Sequence, residues 1–336
     1  MLIVLGLIRL GLMAAVLGLG AMAVAAWFGF AVPFFDLFNH FQAVLVGGLV
    51  LLLIAVGLFF IGSSWQWPLL VVVLVGLLAS AMTVVPETLA AMAPRAPLPA
   101  DGRPVVTLMT QNLFGLNYDM ARTAKAIATE NPDIVVLQEF FPEQRALLPA
   151  LIEKQYPYSV YCVGGKRANI GIYSKLPFVQ TMDGGCPTDP NQFPRTAHIL
   201  ANFTLANGGR FAVLTTHFDW PFPIERQRQQ RDVIVEALKG VTTPLLLAGD
   251  FNSTPWSYAQ RDFADAAGLT RQTHGIFTWP LRFAIKGWRD TVPILPLDQV
   301  MTRGAVTIHE LRAGAPNGSD HLPLIVRFSV PPAPAG

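Results

Sequence analysis

The chain has 336 residues, of which 52 % are hydrophobic and only 14 % charged, and its mean hydropathy is +0.43. An ordinary soluble domain carries about a quarter charged residues, so a disordered chain, a coiled coil and a collagen-like repeat are excluded and a wholly soluble protein is disfavoured. The charge is unevenly spread: residues 1–94 hold only Arg9, Asp36 and Glu87, and the rest of the chain has a net charge of +3, too weak for a dedicated nucleic-acid surface.

The first 92 residues read as a transmembrane segment. Three apolar runs, 10–30, 41–61 and 67–85, each approach the ~20 residues that a helix needs to cross about 30 Å of hydrocarbon. Asp36, Asn39 and His40 separate the first two runs; Ser63, Ser64, Gln66 and Pro68 separate the second pair. A cleaved signal peptide is disfavoured for the first run, because two more spans follow it. Arg9 and the terminal amine favour a cytoplasmic N-terminus. Three spans then make this a multi-pass protein of the cell (inner) membrane with its soluble part outside the cytoplasm, although Arg95 and Arg103 weigh the other way.

Residues 93–104, rich in Pro, Ala and polar residues, read as a linker. A soluble domain over 105–330 follows, and the Pro/Ala tail 331–336 ends the chain. Strands and helices alternate in the domain. "VVTLMTQN" predicts a strand, "YDMARTAKAIATE" a helix with Asp119 as its cap, and "DIVVLQEF" a buried strand. "ALLPALIEKQ" predicts a helix. "NIGIYSK", "AHILANFTL" and "RFAVLTTHF" are successive strands, the last two joined by the turn "ANGG". "IERQRQQRDVIVEALKG" is an amphipathic helix whose basic run reads as a solvated face. "PLLLAGDFN", "LDQVMTRG" and "LPLIVRFSV" supply further strands. Cys162 and Cys186 are the only cysteines. They read either as buried thiols or as one disulfide of an oxidising compartment.

Polar residues gather where apolar strands end. Gln111 and Asn112 follow the first strand, Gln138 and Glu139 the second, His217 and Asp219 a third, and Asp250 and Asn252 a fourth. Asp298 follows "PILPL", and Asp320 and His321 precede the last strand. Buried carboxylates are costly unless paired or metal-bound, so strand ends of this kind point to one convergent site. Carboxylates and amides without a cysteine suit Mg2+ or Mn2+ better than zinc.

The ordered set "TQN", "LQE", "GIYSKLP", "TTHFD", "AGDFNSTP", "LDQV" and "SDHLP" resembles the endonuclease/exonuclease/phosphatase superfamily over 105–330. The resemblance implies an α+β fold of the DNase-I-like type. In that fold two mixed β-sheets face each other and helices flank them, giving a four-layered α/β sandwich. Here the sandwich would follow three transmembrane helices. The resemblance also implies hydrolysis of a phosphoester by metal-assisted attack of water. Carried over, Glu139 would bind the divalent metal with help from Asn112, and Asp320 would be a further ligand or a phosphate-site residue. Asp250 would orient or deprotonate the attacking water and Asn252 would position it. His321 would contact the scissile phosphate, Asp298 would fix its tautomer, and His217 would hydrogen-bond the phosphate. Arg195 resembles a phosphate-side arginine of nuclease members, the other reading being a surface ion pair. Asp219 either contacts the phosphate side or shapes its loop. The expected cofactor is Mg2+, with Mn2+ as the alternative.

The expected partners are a lipid bilayer, through the N-terminal helices, and a phosphoester substrate; no protein partner is inferable. A phosphodiesterase is the leading expectation. The alternatives are a nuclease acting on DNA or RNA outside the cytoplasm, a lipid or inositol-type phosphoesterase, and a catalytically silent membrane scaffold. The Trp- and Pro-rich stretch 277–298 reads equally as a packed loop behind Asp298 and as a substrate-side or membrane-contacting rim.

Overall fold

A computed structural model describes residues 2–163, 167–180, 185–187, 196–284 and 288–333. The chain forms two compact units. One comprises Met1–Met92 together with Thr254–Asp262, and the other Ala93–Ser253 with Phe263–Gly336.

The first unit is built on α1 (Leu2–Trp27), the short α2 (Pro33–Asp36), α3 (Gln42–Phe59) and α4 (Gln66–Met92), with 3-10 turns at Phe28–Phe30 and Leu37–Phe41. Three of its helical stretches are long and apolar enough to cross a membrane. The first helix begins earlier than the apolar run that starts at residue 10, because Arg9 finds partners within the unit. Its Nε donates to the Phe59 carbonyl at the end of α3 (2.8 Å), and its guanidinium lies 5.6 Å from the Phe60 ring centroid. The third helix continues through Pro86 to Met92. Small residues let α1 and α4 approach closely: a Cβ on Gly76 would stand 3.3 Å from the Gly20 Cα. Val16, Leu45, Leu49 and Val73 fill the space between the helices, while Leu7, Leu51 and Leu78 stand exposed on the outside.

The second unit runs β1 (Val106–Asn112), α5 (Met120–Glu130), β2 (Ile134–Gln138), α6 (Pro142–Leu147), α7 (Pro149–Ile152), β3 (Tyr158–Tyr161), β4 (Gly171–Ser174) and β5 (Phe178–Gln180). It continues with β6 (His198–Thr204), β7 (Arg210–His217), α8 (Ile224–Leu238), β8 (Leu245–Asp250) and α9 (Tyr258–Ala266), the last beginning in the first unit. β9 (Thr270–Arg271), β10 (Arg282–Ala284), β11 (Trp288–Asp290), β12 (Asp298–Arg303), β13 (Thr307–Ala313) and β14 (Leu324–Ser329) complete it. The predicted helix across 146–155 is divided into α6 and α7, because Pro149 has no N–H to continue the ladder. Asp119 caps α5 as expected, accepting from the Arg122 N–H.

Two six-stranded sheets form, ordered β13-β14-β1-β2-β4-β3 and β5-β6-β7-β8-β12-β9, with β10-β11 as a separate hairpin. Each is mixed: β1–β2 and β7–β8 are parallel and the other pairings antiparallel. The continuous apolar runs in β2 and β8 follow from burial on both faces. Ile134 and Val136 meet Leu246, Ala248 and Val300 in the core between the sheets. Val135 and Leu137 pack with Ile127 of α5 and Ile152 of α7. Leu245 and Leu247 pack with Ile234 and Leu238 of α8 and Phe263 of α9. The result is helix, sheet, sheet, helix, the four-layered sandwich. Cys162 and Cys186 are joined in a disulfide.

Candidate active site

Side chains alternate across a strand with period two. In β8, Leu246 and Ala248 face the opposite sheet, so Asp250 at the strand's end faces the same way. By the same parity Asn112 follows Leu108 in β1, Gln138 follows Val136 in β2, His217 follows Val213 in β7, and Asp298 precedes Val300 in β12. The registers bring these ends level, with Asn112 opposite Gln138 and with His217 and Asp298 both opposite Asp250. A side chain at Gly249 would run into the Thr216 carbonyl of β7, so glycine permits this close pairing. One end of the sandwich therefore collects polar groups from both sheets.

Asp250 is at the centre and fully buried. Its Oδ2 accepts from Asn112 Nδ2 (2.8 Å) and lies 3.4 Å from His217 Nε2 and 3.8 Å from His321 Nε2. Its Oδ1 accepts from the Asn252 backbone N–H (2.8 Å). Asn112 is held at both ends, since its Oδ1 accepts from the Phe114 N–H (2.9 Å). Burial alone would raise the Asp250 pKa, but His321, then His217 and last the Asn252 N–H outweigh it and keep this group ionised.

His321 Nδ1 stands 2.8 Å from Asp298 Oδ2. Burial opposes the imidazolium, yet Asp298 and Asp250 together push His321 up to about 10. The carboxylate at Nδ1 leaves Nε2 pointing toward Asp250 and Asp320, the latter at 4.0 Å. The Ser319 hydroxyl accepts from the His321 N–H (3.0 Å) and donates to the Asn112 carbonyl (2.6 Å), tying the "SDH" loop to β1. Trp279 Nε1 donates to Asp320 Oδ2 (3.0 Å) and burial pushes the Asp320 carboxyl up.

Glu139 and Asn252 adopt left-handed backbone, with φ of 52° and 47°. Asparagine tolerates this region; a glutamate there is rare, and such strain clusters at functional sites. Glu139 Oε2 accepts from the Gly115 N–H (2.7 Å), and Asn252 Nδ2 donates to the Phe218 carbonyl (2.8 Å).

A cavity of about 500 Å³ opens over these groups. Glu139, Asp250, Asn252, Asp320 and His321 form its polar wall, with Trp220, Trp279, Phe114, Phe141 and Tyr118 around it. Within the described residues the stretch 277–298 packs behind Asp298 and also reaches the cavity. The Thr278 hydroxyl accepts from the Asp298 N–H (3.4 Å), and Trp279 lines the cavity.

Arg167 has no counterpart among the sequence-derived candidates. It is buried in the same cavity wall, with Nη1 2.6 Å from His217 Nε2 and 3.8 Å from Glu139 Oε1, and Nε donating to Asp219 Oδ1 (3.0 Å). Asp219 thus holds Arg167 instead of lining the cavity. The available signal was the basic residue just before "ANIGIYS", which the Phe140 N–H to Asn169 carbonyl bond (2.8 Å) brings beside Glu139. Arg195 lies outside the described residues.

The solvated face expected of "ERQRQQR" is only half right. Glu225 and Arg228 pair in solvent, but Gln227, Gln230 and Arg231 are buried. Gln227 donates to the carbonyls of Asp219 (2.6 Å) and Phe251 (3.1 Å), and the Gln230 side chain accepts from the Asp219 N–H (2.7 Å). The helix thereby holds the two loops that follow β7 and β8.

Known proteins fit this geometry. The chain is 31 % identical to a UPF0294 protein of Vibrio cholerae over 138 residues, which are 41 % of this chain and 46 % of that protein. It spans about half the length of the curated relatives it matches. An endonuclease/exonuclease/phosphatase structure from Bacteroides vulgatus superposes with a TM-score of 0.54 at 19 % identity, over 68 % of this chain and all of that one. The human Nocturnin catalytic domain with bound sulfate gives 0.50 at 19 % identity, over 68 % of this chain and 96 % of that one. A model of the endonuclease/exonuclease/phosphatase family matches residues 109–321, which take in strands of both sheets and the whole polar cluster, and the chain belongs to that family.

Proposed function

We propose that this chain is a membrane-anchored, divalent-metal-dependent phosphoesterase that hydrolyses a phosphodiester. One observation carries the reading: from five separate strand ends and loops, Asp250, Asn252, Glu139 and His321 come to line one cavity, with His217 and Asp298 in contact behind them. Phosphoryl transfer asks mainly for positioning and electrostatic stabilisation, and this set supplies both. Asp250, ionised and hydrogen-bonded by Asn112 and Asn252, orients the attacking water and takes its proton. His321, kept protonated by Asp298, stabilises charge on the phosphate oxygens. Arg167 and His217 hold one another and steady the phosphate side.

The donor set fits a hard divalent cation. Glu139, Asp250 and Asp320 line the site against Arg167 and His321, and behind them Asp298 Oδ1 is buried with no hydrogen-bond partner among the described residues. Ligand atoms of Asp250, Asp298 and His321 lie within 4.8 Å of one another. The Asp298–His321 hydrogen bond already occupies that corner, which favours Glu139, Asp320 and Asn112 as the holders. Oxygen donors of this kind suit Mg2+ or Mn2+. Bound there, the ion would neutralise phosphate charge and acidify water.

The lining residues favour a small or lipid phosphodiester over a long nucleic acid. The cavity wall is acidic and aromatic, and Arg167 already serves Glu139, His217 and Asp219. A duplex would need several free basic contacts.

The three apolar helices support a multi-pass anchor. Three crossings put the connection 28–41 and everything after Met92 on one side of the bilayer. The Cys162–Cys186 disulfide supports an extracytoplasmic placement of that side.

The full chain in detergent, assayed with Mg2+ or Mn2+ against phospholipids, DNA and RNA, tests the proposal. Turnover of a phospholipid, lost in Asp250→Ala and His321→Ala, is expected. Preferred turnover of DNA or RNA would install the nuclease reading, and turnover unchanged in both variants would overturn the assignment of the site.

A further inference from the structure

The turn that carries Asp250 and Asn252 runs straight into the segment Thr254–Asp262, which packs within the membrane-helix unit. There Asp36, the last residue of α2, is buried, and its carboxylate is fully engaged. It accepts from the backbone N–H groups of Tyr258 (2.8 Å) and Ala259 (3.0 Å) and from the Ser257 hydroxyl (2.7 Å). A carboxylate more than two hundred residues earlier in the chain thus closes the N-terminus of α9, where N–H groups lack helical partners. Asn39 Nδ2 donates to Asp36 Oδ1 (2.9 Å) and to the Ala26 carbonyl (2.9 Å), and Gln42 Nε2 holds Asn39 Oδ1 (2.8 Å). His40 Nδ1 lies 3.2 Å from both the N–H and the hydroxyl of Thr254, and the Tyr258 hydroxyl donates to the Trp27 carbonyl (3.0 Å). A Cβ on Gly29 would stand 2.8 Å from the Asp36 Cα, so the connection is packed tightly around this carboxylate.

A simple tether does not require this. Residues 93–104 already join the helices to the domain, and a buried carboxylate is costly unless every lone pair is met. Three of the four donors to Asp36 come from Ser257–Ala259, so each segment satisfies the other. Thr254 follows Asn252 by two residues, so the anchored segment directly continues the turn that carries Asp250 and Asn252.

We propose that Asp36, with Asn39 and His40, is a positioning cluster that fixes the 254–259 segment and through it the Asp250–Asn252 turn, so that turnover depends on the polar connection between the first two membrane helices. The kinetic part of this rests on the phosphoesterase reading; the ordering of the turn does not.

The test uses the full chain in detergent, as Asp36→Ala, Asp36→Asn and the milder His40→Ala and Ser257→Ala. Hydrogen–deuterium exchange is read for peptides over 250–256 and 257–262, and kinetics with bis-p-nitrophenyl phosphate and Mg2+. In Asp36→Ala both peptides exchange at least about tenfold faster, and kcat falls about tenfold or more while KM stays within about twofold. His40→Ala and Ser257→Ala move the same readouts less, and they carry the test if Asp36→Ala does not fold. Faster exchange confined to 257–262, or unchanged kcat, overturns the proposal. If the wild type turns over no phosphoester, the phosphoesterase reading fails, while exchange over 250–256 still decides whether Asp36 orders the turn.

Discussion

Replacing Asp298 by asparagine isolates one buried charge. The variant keeps the side-chain shape and an acceptor for His321 Nδ1, but removes a carboxylate 2.8 Å away, where both side chains are buried. Hydrogen bonds to charged groups contribute roughly 1.5–3 kcal/mol. Because a lower pKa follows directly from a lost stabilisation of the imidazolium, removing this one brings His321 down from about 10 toward its ordinary value. The imidazolium is then partly lost at neutral to mildly alkaline pH, and its tautomer is no longer fixed. Turnover is expected to fall roughly 10²- to 10⁴-fold, with the alkaline limb of the kcat–pH profile moving toward neutrality. The stability change has a definite sign. Because His321 titrates higher when folded than its ordinary 6.5, its contribution is complete below pH 6.5 and is lost as pH rises toward about 10. In Asp298→Asn the loss still begins near pH 6.5, because the unfolded value is unchanged, but it is smaller and ends at lower pH. Imidazole NMR of the full chain in EDTA measures the titration directly, and kcat from pH 6 to 10 measures its consequence. An unmoved His321 titration, with kcat within about threefold of wild type, would refute the assignment of Asp298 as the group that charges and orients His321.

Three further outcomes follow from the same geometry. Arg167→Lys keeps the charge but cannot reach Asp219 and His217 together, so kcat/KM should drop roughly 10- to 100-fold; recovery to wild-type kinetics would contradict the shared role of its guanidinium. Glu139→Gln should raise the Mg2+ or Mn2+ concentration for half-maximal activity about tenfold or more, and EDTA should abolish turnover reversibly; an unchanged metal requirement would remove Glu139 from the ligand set. Replacing Cys162 and Cys186 together by serine opens a loop closed across a 24-residue separation, at a cost of about 3 kcal/mol in denaturant unfolding. Maleimide labelling of both thiols in unreduced cells would show that the bond does not form there.

Much of the fold is written in local patterns. The apolar runs of β2 and β8 announced strands buried on both faces, and Asp119 announced the start of α5. The helices around 142–152 were blurred because the apolar pattern runs through Pro149, which breaks the ladder without interrupting hydrophobicity. Helix α9 is not among the predicted elements, although Ser257 accepts from the Gln260 N–H (3.4 Å), a capping signal that stands in the sequence as Ser-Tyr-Ala-Gln.

The identity of the polar residues at the strand ends followed from sequence, because each sits in a short motif beside a recognisable apolar strand. Their convergence did not, since it depends on period-two parity and on the registers that set His217 and Asp298 level with Asp250. Arg167 and the two glutamines of α8 carry no motif; only packing turns them inward, where a buried donor must find an acceptor. Asp36 shows the division most plainly. One of only two acids in the first ninety-four residues was visible as a break between apolar runs, but its partners include the backbone N–H groups of Tyr258 and Ala259. A backbone donor has no letter in a sequence, so only the tertiary structure pairs that charge with the far end of the chain.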